Sequence, residues 1–321
     1  MKLRLPKQIY ILIAAAVILA FLMRQIDRQT EPVEDSILEA ELILLEAELI
    51  SGIPIVPNLA GWPPELLAAL KEIHEGFSDE ATRVGSLAAL GRLYFINGFM
   101  GQARQCFDAL RKIEPDEPRW SYFLGVATRD HQSKELAVEA FGSALALEEE
   151  YPNIRYNLGR MYLESSRISE SVEVFEDLLD RYAWRGWARH GLAEGLFLEE
   201  RYREALDELE LAIAASPDVR EFYSMKEGVA RFAGDSTAIE EARIEKERLA
   251  FEREPYDPWV QALWQQCFDP FRLLRLAKTE YFESHFARAF EILERAAKID
   301  GDNEEVLEAL EMLSERIESG R

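Results

Sequence analysis

The sequence predicts an all-α solenoid, in which antiparallel helix pairs stack side by side, preceded by a single N-terminal transmembrane helix. Three observations carry that prediction. Small residues recur at an interval of 34 positions, at Gly91, Gly125, Gly159 and Ala193. Twelve positions after each comes Ala103, Ala137, Ser171 or Ala205, and four further on a large apolar residue, Phe107, Phe141, Phe175 or Leu209. An uncharged apolar run occupies Ile9 to Met23. A fixed period of this kind marks a supersecondary unit that buries its apolar face only by stacking on neighbours.

The N-terminal region, residues 1–30, reads as a short cytoplasmic start followed by a signal anchor. Its apolar run of 15 residues spans about 22 Å as a helix, short of a hydrocarbon core of roughly 30 Å. Lys7 and Arg24 flank it, and their long stems reach either interface. A cleaved signal peptide is the competing reading, but Met23, Arg24, Gln25 and Ile26 offer no small-x-small cleavage site. Lys2, Arg4, Lys7 and the terminal amine outweigh Arg24 and Arg28, which Asp27 and Glu31 dilute. The positive-inside rule then places the N-terminus in the cytoplasm and the rest across the membrane, in the periplasm of a bacterium.

Residues 31–63 form an acidic juxtamembrane segment and a proline-rich linker. Between 31 and 61 there are seven acids and no Lys or Arg. Ser36 and Glu39 make a capping box, and Leu38, Leu42, Leu45 and Leu49 follow as a heptad seam. This helix either dimerises or packs as an ordinary amphipathic helix on its own domain. The prolines at 54, 57, 63 and 64 preclude a continuous helix through the linker. A helix follows from about Pro64 to Gly76, opening the domain that fills 64–321.

Four units keep the period: 84–117, 118–151, 152–185 and 186–219. A leucine precedes each small residue (Leu90, Leu124, Leu158, Leu192), aromatics follow at Tyr94 and Tyr162, and Pro115 and Pro217 close two units. This resembles the tetratricopeptide repeat (TPR) family, whose pattern is W-x2-L-G-x2-Y, then A-x3-F, then P. The tryptophan position departs from it and holds Leu87, Ser121, Arg155 and Arg189. Residues 220–253 read as a degenerate unit with a long charged second helix, Ile239 to Glu254. An irregular insertion, 254–269, carries Trp259 and Trp264, read as core plugs more readily than as ligand contacts. A further unit fits 270–303 through Leu276, Ala277, Ala289, Leu293 and Ala296. The last helix, 303–318, aligns Val306, Leu310, Leu313 and Ile317 on one face and reads as a solvating cap.

Composition and motifs favour binding over catalysis. The net charge of −23 sets the surface against nucleic acid and anionic lipid headgroups. His74, His131, His190 and His285 lie in no HExxH or HxH pattern, and phosphate-loop and nucleophile-elbow motifs are missing from the sequence. The two cysteines, Cys106 and Cys267, make no CxxC, and a single disulfide between them is left open. No cofactor or metal is expected, and no enzymatic role.

The resemblance implies where a partner sits. In TPR proteins the first helix of each hairpin lines a concave groove. In register, the first unit places Arg92 and Phe95 there; the second Arg119, Tyr122 and Arg129; the third Asn153, Tyr156 and Arg160; the fourth Trp187, His190, Glu194 and Phe197. Arginine forks and aromatic faces suit an extended or helical peptide with acidic groups, or a C-terminal carboxylate. The competing reading pairs these arginines with local acids and packs the aromatics between hairpins. The family's carboxylate clamp for chaperone tails uses lysines and asparagines, which this set does not reproduce. The leading expectation is a membrane-anchored scaffold or assembly factor that recruits a protein or peptide partner. The alternatives are a self-associating structural membrane protein, forming homo-oligomers, and an organelle import-type receptor with cytosolic repeats.

Overall fold

The computed structural model describes residues 53–59, 62–129, 133–249 and 253–319. The apolar run 9–23, the predicted helix with its leucine seam, and His131 lie outside the described residues. Among the described residues no helix is long and apolar enough to cross a membrane.

Helix α1, Pro64–Glu75, begins on a proline, where a missing N–H costs nothing, and buries Leu66 and Leu70. Hairpins follow. They pair α2 (Arg83–Ile96) with α3 (Met100–Ile113), and α4 (Pro118–Arg129) with α5 (Lys134–Leu147). Next come α6 (Pro152–Glu164) with α7 (Ile168–Glu176), and α8 (Arg185–Leu198) with α9 (Tyr202–Ala215). A fifth pairs α10 (Arg220–Ala233) with α11 (Ser236–Arg248). After a single helical turn, α12 (Pro258–Gln261), the hairpin of α13 (Pro270–Phe282) and α14 (Phe286–Ile299) leads to α15 (Glu304–Ser319). The molecule is an all-α solenoid of antiparallel helix pairs.

The repeated sequence positions are the core of this stack. Ala103, Ala137, Ser171 and Ala205 are wholly buried, as are Phe107, Phe141, Phe175 and Leu209. Close approach explains the glycines. A Cβ on Gly125 would fall 2.7 Å from the Phe141 ring, and one on Gly159 would fall 2.8 Å from Phe175. The aromatic of the second helix therefore occupies the volume that the small residue of the first vacates. A further periodic feature lies in the backbone. Gly98, Ser166, Glu200 and Gly234, at the turns within hairpins, all adopt left-handed backbone with φ between 59° and 84°. They keep the 34-residue period, but the residue type varies. At Ser166 and Glu200 the conformation costs about 1 kcal/mol.

The fifth hairpin differs from the expected long charged helix. Helix α11 starts at Ser236 because the Asp235 carboxylate accepts hydrogen bonds from the N–H groups of Thr237 and Ala238, at 3.1 and 3.0 Å. It stops at Arg248 and does not reach Glu254. In α15 the apolar face is also shorter than its sequence pattern. Val306 and Leu313 are buried, whereas Ile317 is 46% exposed.

Residues 253–269 carry the chain back to the first hairpin. The Asn97 side chain is buried; its amide donates to the Gln266 carbonyl at 2.7 Å and its oxygen accepts from the Phe268 N–H at 2.5 Å. The Cys267 thiol lies 3.5 Å from the Ile96 carbonyl. Leu263, Leu273 and Leu276 join one continuous apolar cluster with Leu87, Phe107 and Phe123 of the first two hairpins. Trp259 and Trp264 pack against the same cluster. Cys106 and Cys267 are free, buried thiols, so the disulfide left open by the sequence is not formed. Burial pushes both thiols up to about 12.

Candidate functional site: the concave cavity

The first helices of the hairpins face a shared concave space of about 810 Å³. Helices α4, α6, α8 and α10 supply one wall, the end of α2 and the start of α3 another, and residues 253–261 with α13 the third. Periodicity builds this wall. The face of each first helix that does not pack on its partner turns inward, and stacking lines those faces up.

Ten of the twelve residues placed in the groove by register line this cavity: Phe95, Tyr122, Arg129, Asn153 and Tyr156, with Arg160, Trp187, His190, Glu194 and Phe197. Arg92 and Arg119 do not line it, and that placement is corrected. Arg119 is held by Glu117, its Nε and terminal nitrogen each 2.6 Å from a carboxylate oxygen. Arg92 lies over the Trp120 ring, 5.9 Å from its centre. Glu117, two residues ahead of Arg119, captures the guanidinium at the start of α4 before it reaches the groove.

The lining arginines are braced within the wall. Arg129 donates to the Asn157 side-chain oxygen at 3.1 Å. Arg160 stands 3.9 Å from Glu164. Arg253 reaches Asp218 at 2.6 Å and Glu283 at 3.1 Å, and Arg275 reaches Glu254 at 2.8 Å. These pairs keep guanidinium groups at the cavity in spite of the acidic whole. Burial raises the Glu194 carboxyl above its ordinary range, and the Arg160 charge opposes that rise. At one rim Phe197, Tyr202 and Phe232 form a ring cluster with centroids 5.2 to 5.7 Å apart, and Phe232 is 63% exposed.

His190 is a sensitive group in this wall. Its ring lies against Phe222, 5.2 Å away, and beside Trp187. Loss of solvent, and then the Arg160 charge, push its pKa down from 6.5 to about 4. A folded chain that refuses a proton the unfolded chain accepts is fully stabilised only above the unfolded value. That stability is lost as pH falls from 6.5 toward 4 and amounts to at most about 3 kcal/mol. Denaturant midpoints at pH 7.5 and 4.5 test this: His190→Gln is expected to lose less stability over that interval than the parent chain.

Several wall residues escaped the sequence reading. Glu221, Ser224 and Gly228 of α10 line the cavity, each 34 positions beyond Trp187, His190 and Glu194. Extending the register through the unit read as degenerate finds them. Arg272, Arg275 and Thr279 of α13, and Arg253, Glu254, Pro255 and Asp257 ahead of α12, also line it. No periodic signal marks those, since they belong to the return of the chain. Among the described residues no cluster of His, Cys, Asp and Glu is arranged to hold a metal ion.

The fold and the site together define a helical-repeat solenoid with an inward-facing cavity. Residues 88–153 and 129–186 match the family model for the tetratricopeptide repeat, and the chain carries TPR repeats. The peroxisomal targeting signal receptor of Kluyveromyces lactis is 33% identical over 91 residues, 28% of this chain. The match spans 15% of that receptor's length. A crystal structure of a tetratricopeptide repeat protein from Parabacteroides merdae shares the fold, with a TM-score of 0.52 at 15% identity. It covers 78% of this chain and 93% of that one. MamA from Desulfovibrio magneticus is 15% identical, with a TM-score of 0.46, and covers 52% of this chain and 94% of its own.

Proposed function

We propose that the protein is a membrane-anchored TPR scaffold or assembly factor that captures a protein or peptide partner in the concave cavity. The observation that carries this reading is the cavity itself: about 810 Å³, walled by the inner helices, with Arg129, Arg160 and the Trp187–His190–Phe197 face turned into it. Pre-organised guanidinium forks and rigid aromatics suit a peptide with an acidic group or a free C-terminal carboxylate. Residues 9–23 serve as the anchor in this reading, with the N-terminus cytoplasmic and the repeats periplasmic. Protease access to the repeats in intact and in permeabilised cells tests that orientation. A second reading, a receptor for a peptide signal, is favoured by the stretch of 91 residues shared with the peroxisomal targeting signal receptor.

An array of random octapeptides with free carboxyl termini, probed with the full chain in detergent micelles, tests the capture reading. Enriched peptides are expected to lose at least about tenfold in affinity with Arg160→Glu, or about 1.4 kcal/mol. Arg119→Gln, outside the cavity, is expected to leave them unchanged. No enrichment, or an equal loss with both variants, refutes the cavity as the site.

A further inference from the structure

The return segment does more than link two hairpins. Residues 253–257 form no regular secondary structure, Asp257 is in extended backbone, and Tyr256 and Asp257 lie against α4 and α6. The Asn153 amide donates to the Tyr256 carbonyl at 3.0 Å. The hydroxyls of Tyr122 and Tyr151 both donate to the Asp257 carboxylate, the latter at 2.6 Å. The Trp259 N–H donates to the Tyr151 hydroxyl at 3.0 Å, and the Trp259 ring stacks on Tyr151 with centres 3.8 Å apart and planes 10° apart. The same indole meets Tyr122 edge-on at 5.2 Å.

Each of these contacts is one that a foreign extended peptide would make. A carboxamide holds a backbone carbonyl, two hydroxyls hold a carboxylate, and a ring stacks on a ring. We propose that the groove over α4 and α6 is a peptide-recognition site whose resident occupant is the chain's own segment 255–260, and which accepts in exchange a partner segment of the form aromatic–Asp–Pro–aromatic. This rests on the capture reading of the cavity and names its partner class.

Three features make the occupant exchangeable. The hydrogen bonds described above that hold the segment are made by the side chains of Tyr122, Tyr151 and Asn153, and Tyr256, Asp257, Trp259 and Val260 are only partly buried, the condition under which a segment opens locally. The Asp257 carboxylate is partly buried, and this loss of solvent raises its pKa in spite of its hydrogen bonds, so its docking carries an electrostatic penalty. Finally, Arg253, Glu254, Pro255 and Asp257 themselves stand in the wall of the open cavity. An incoming chain therefore has room beside the segment before displacing it.

The test uses the full chain in micelles and a fluorescent peptide copying residues 253–262. The double variant Asp257→Ala, Trp259→Ala, which loosens the resident segment, is expected to bind the peptide at least tenfold more tightly than the parent chain does. A peptide with alanine in place of its Asp is expected to lose that gain. A folded double variant that binds no peptide, or binds both peptides alike, overturns the proposal. Hydrogen exchange on the parent chain is an independent check, since it needs no variant to fold. The Trp259 and Val260 amides are expected to exchange faster than those of α4 and α6, and faster again with excess peptide. Exchange of all of them only through global opening, unchanged by peptide, overturns it. Arg160→Glu separates this proposal from the reading beneath it. If octapeptide capture depends on Arg160 while the copied segment does not bind, the cavity stands and the resident-segment proposal falls. If neither binds, both fall.

Discussion

Phe175→Ala is expected to destabilise the middle of the array by about 3–5 kcal/mol, the range for removing a fully buried aromatic ring. The Phe175 ring belongs to α7 and is wholly buried between α6 and α8. Cβ atoms on Gly159 and Gly191 would stand 2.8 and 2.4 Å from it, so two glycines of neighbouring hairpins close on one ring. The converse change is damaging for the same reason. Gly191→Ala gains helix propensity worth about 1 kcal/mol but overpacks a ring that Gly159 prevents from withdrawing, for a net loss of about 1–2 kcal/mol. Combining it with Phe175→Leu, which shortens the ring toward the added methyl, is expected to cost less than the two changes summed. A double-mutant cycle by denaturant unfolding measures this coupling. Additive losses would show that ring and glycine do not share the volume assigned to them.

The second large effect is expected at Asn97. Its removal strands two backbone groups at once, the Gln266 carbonyl and the Phe268 N–H. Each orphaned group costs about 1–3 kcal/mol where water does not replace the partner. Asn97→Ala is therefore expected to cost about 2–4 kcal/mol. Asn97→Asp is expected to be no milder. It keeps the acceptor for Phe268 but sets a carboxylate oxygen against the Leu93 and Gln266 carbonyls, which now receive hydrogen bonds at 2.8 and 2.7 Å. Hydrogen exchange locates the damage: protection is expected to fall over 257–319 and to persist in α6 through α9. A uniform loss across the array would contradict the local character of this clasp.

The contrast between these two sites shows what the sequence makes legible. Phe175 and Gly159 repeat at a fixed spacing because every hairpin solves the same packing problem, so a single chain displays the solution several times over. Most of the cavity wall inherits that legibility, since the inward positions are locked to the packing positions of the same helices. Asn97 solves a problem that arises once. Its partners lie some 170 positions away, at |i−j| of 169 and 171, and a unique long-range contact leaves no period. The destination of Asp257 is hidden for the same reason. Arg92 and Arg119 were misplaced through a different cause: register fixes where a Cα sits, whereas Glu117 and Trp120 decide where a long side chain ends. The left-handed turn positions of the first five hairpins were also invisible, although Gly98, Ser166, Glu200 and Gly234 keep the period, because glycine, serine and glutamate share a backbone shape there and not a chemistry.

The clasp also bears on the order in which the molecule assembles. The five hairpins from α2 to α11 are built from contacts close in sequence and gain stability as each is added. The bonds from Asn97 to residues 266 and 268 must instead close a loop through nearly the whole array, an entropy cost that the neighbouring hairpins do not face. The C-terminal hairpin is thus set to dock after the rest has formed, and to be the first portion to come away. If docking of 253–319 comes last, Tyr122, Tyr151 and Asn153 are expected to be uncovered until then, which pulsed hydrogen exchange during refolding would register as late protection of the Trp259 amide.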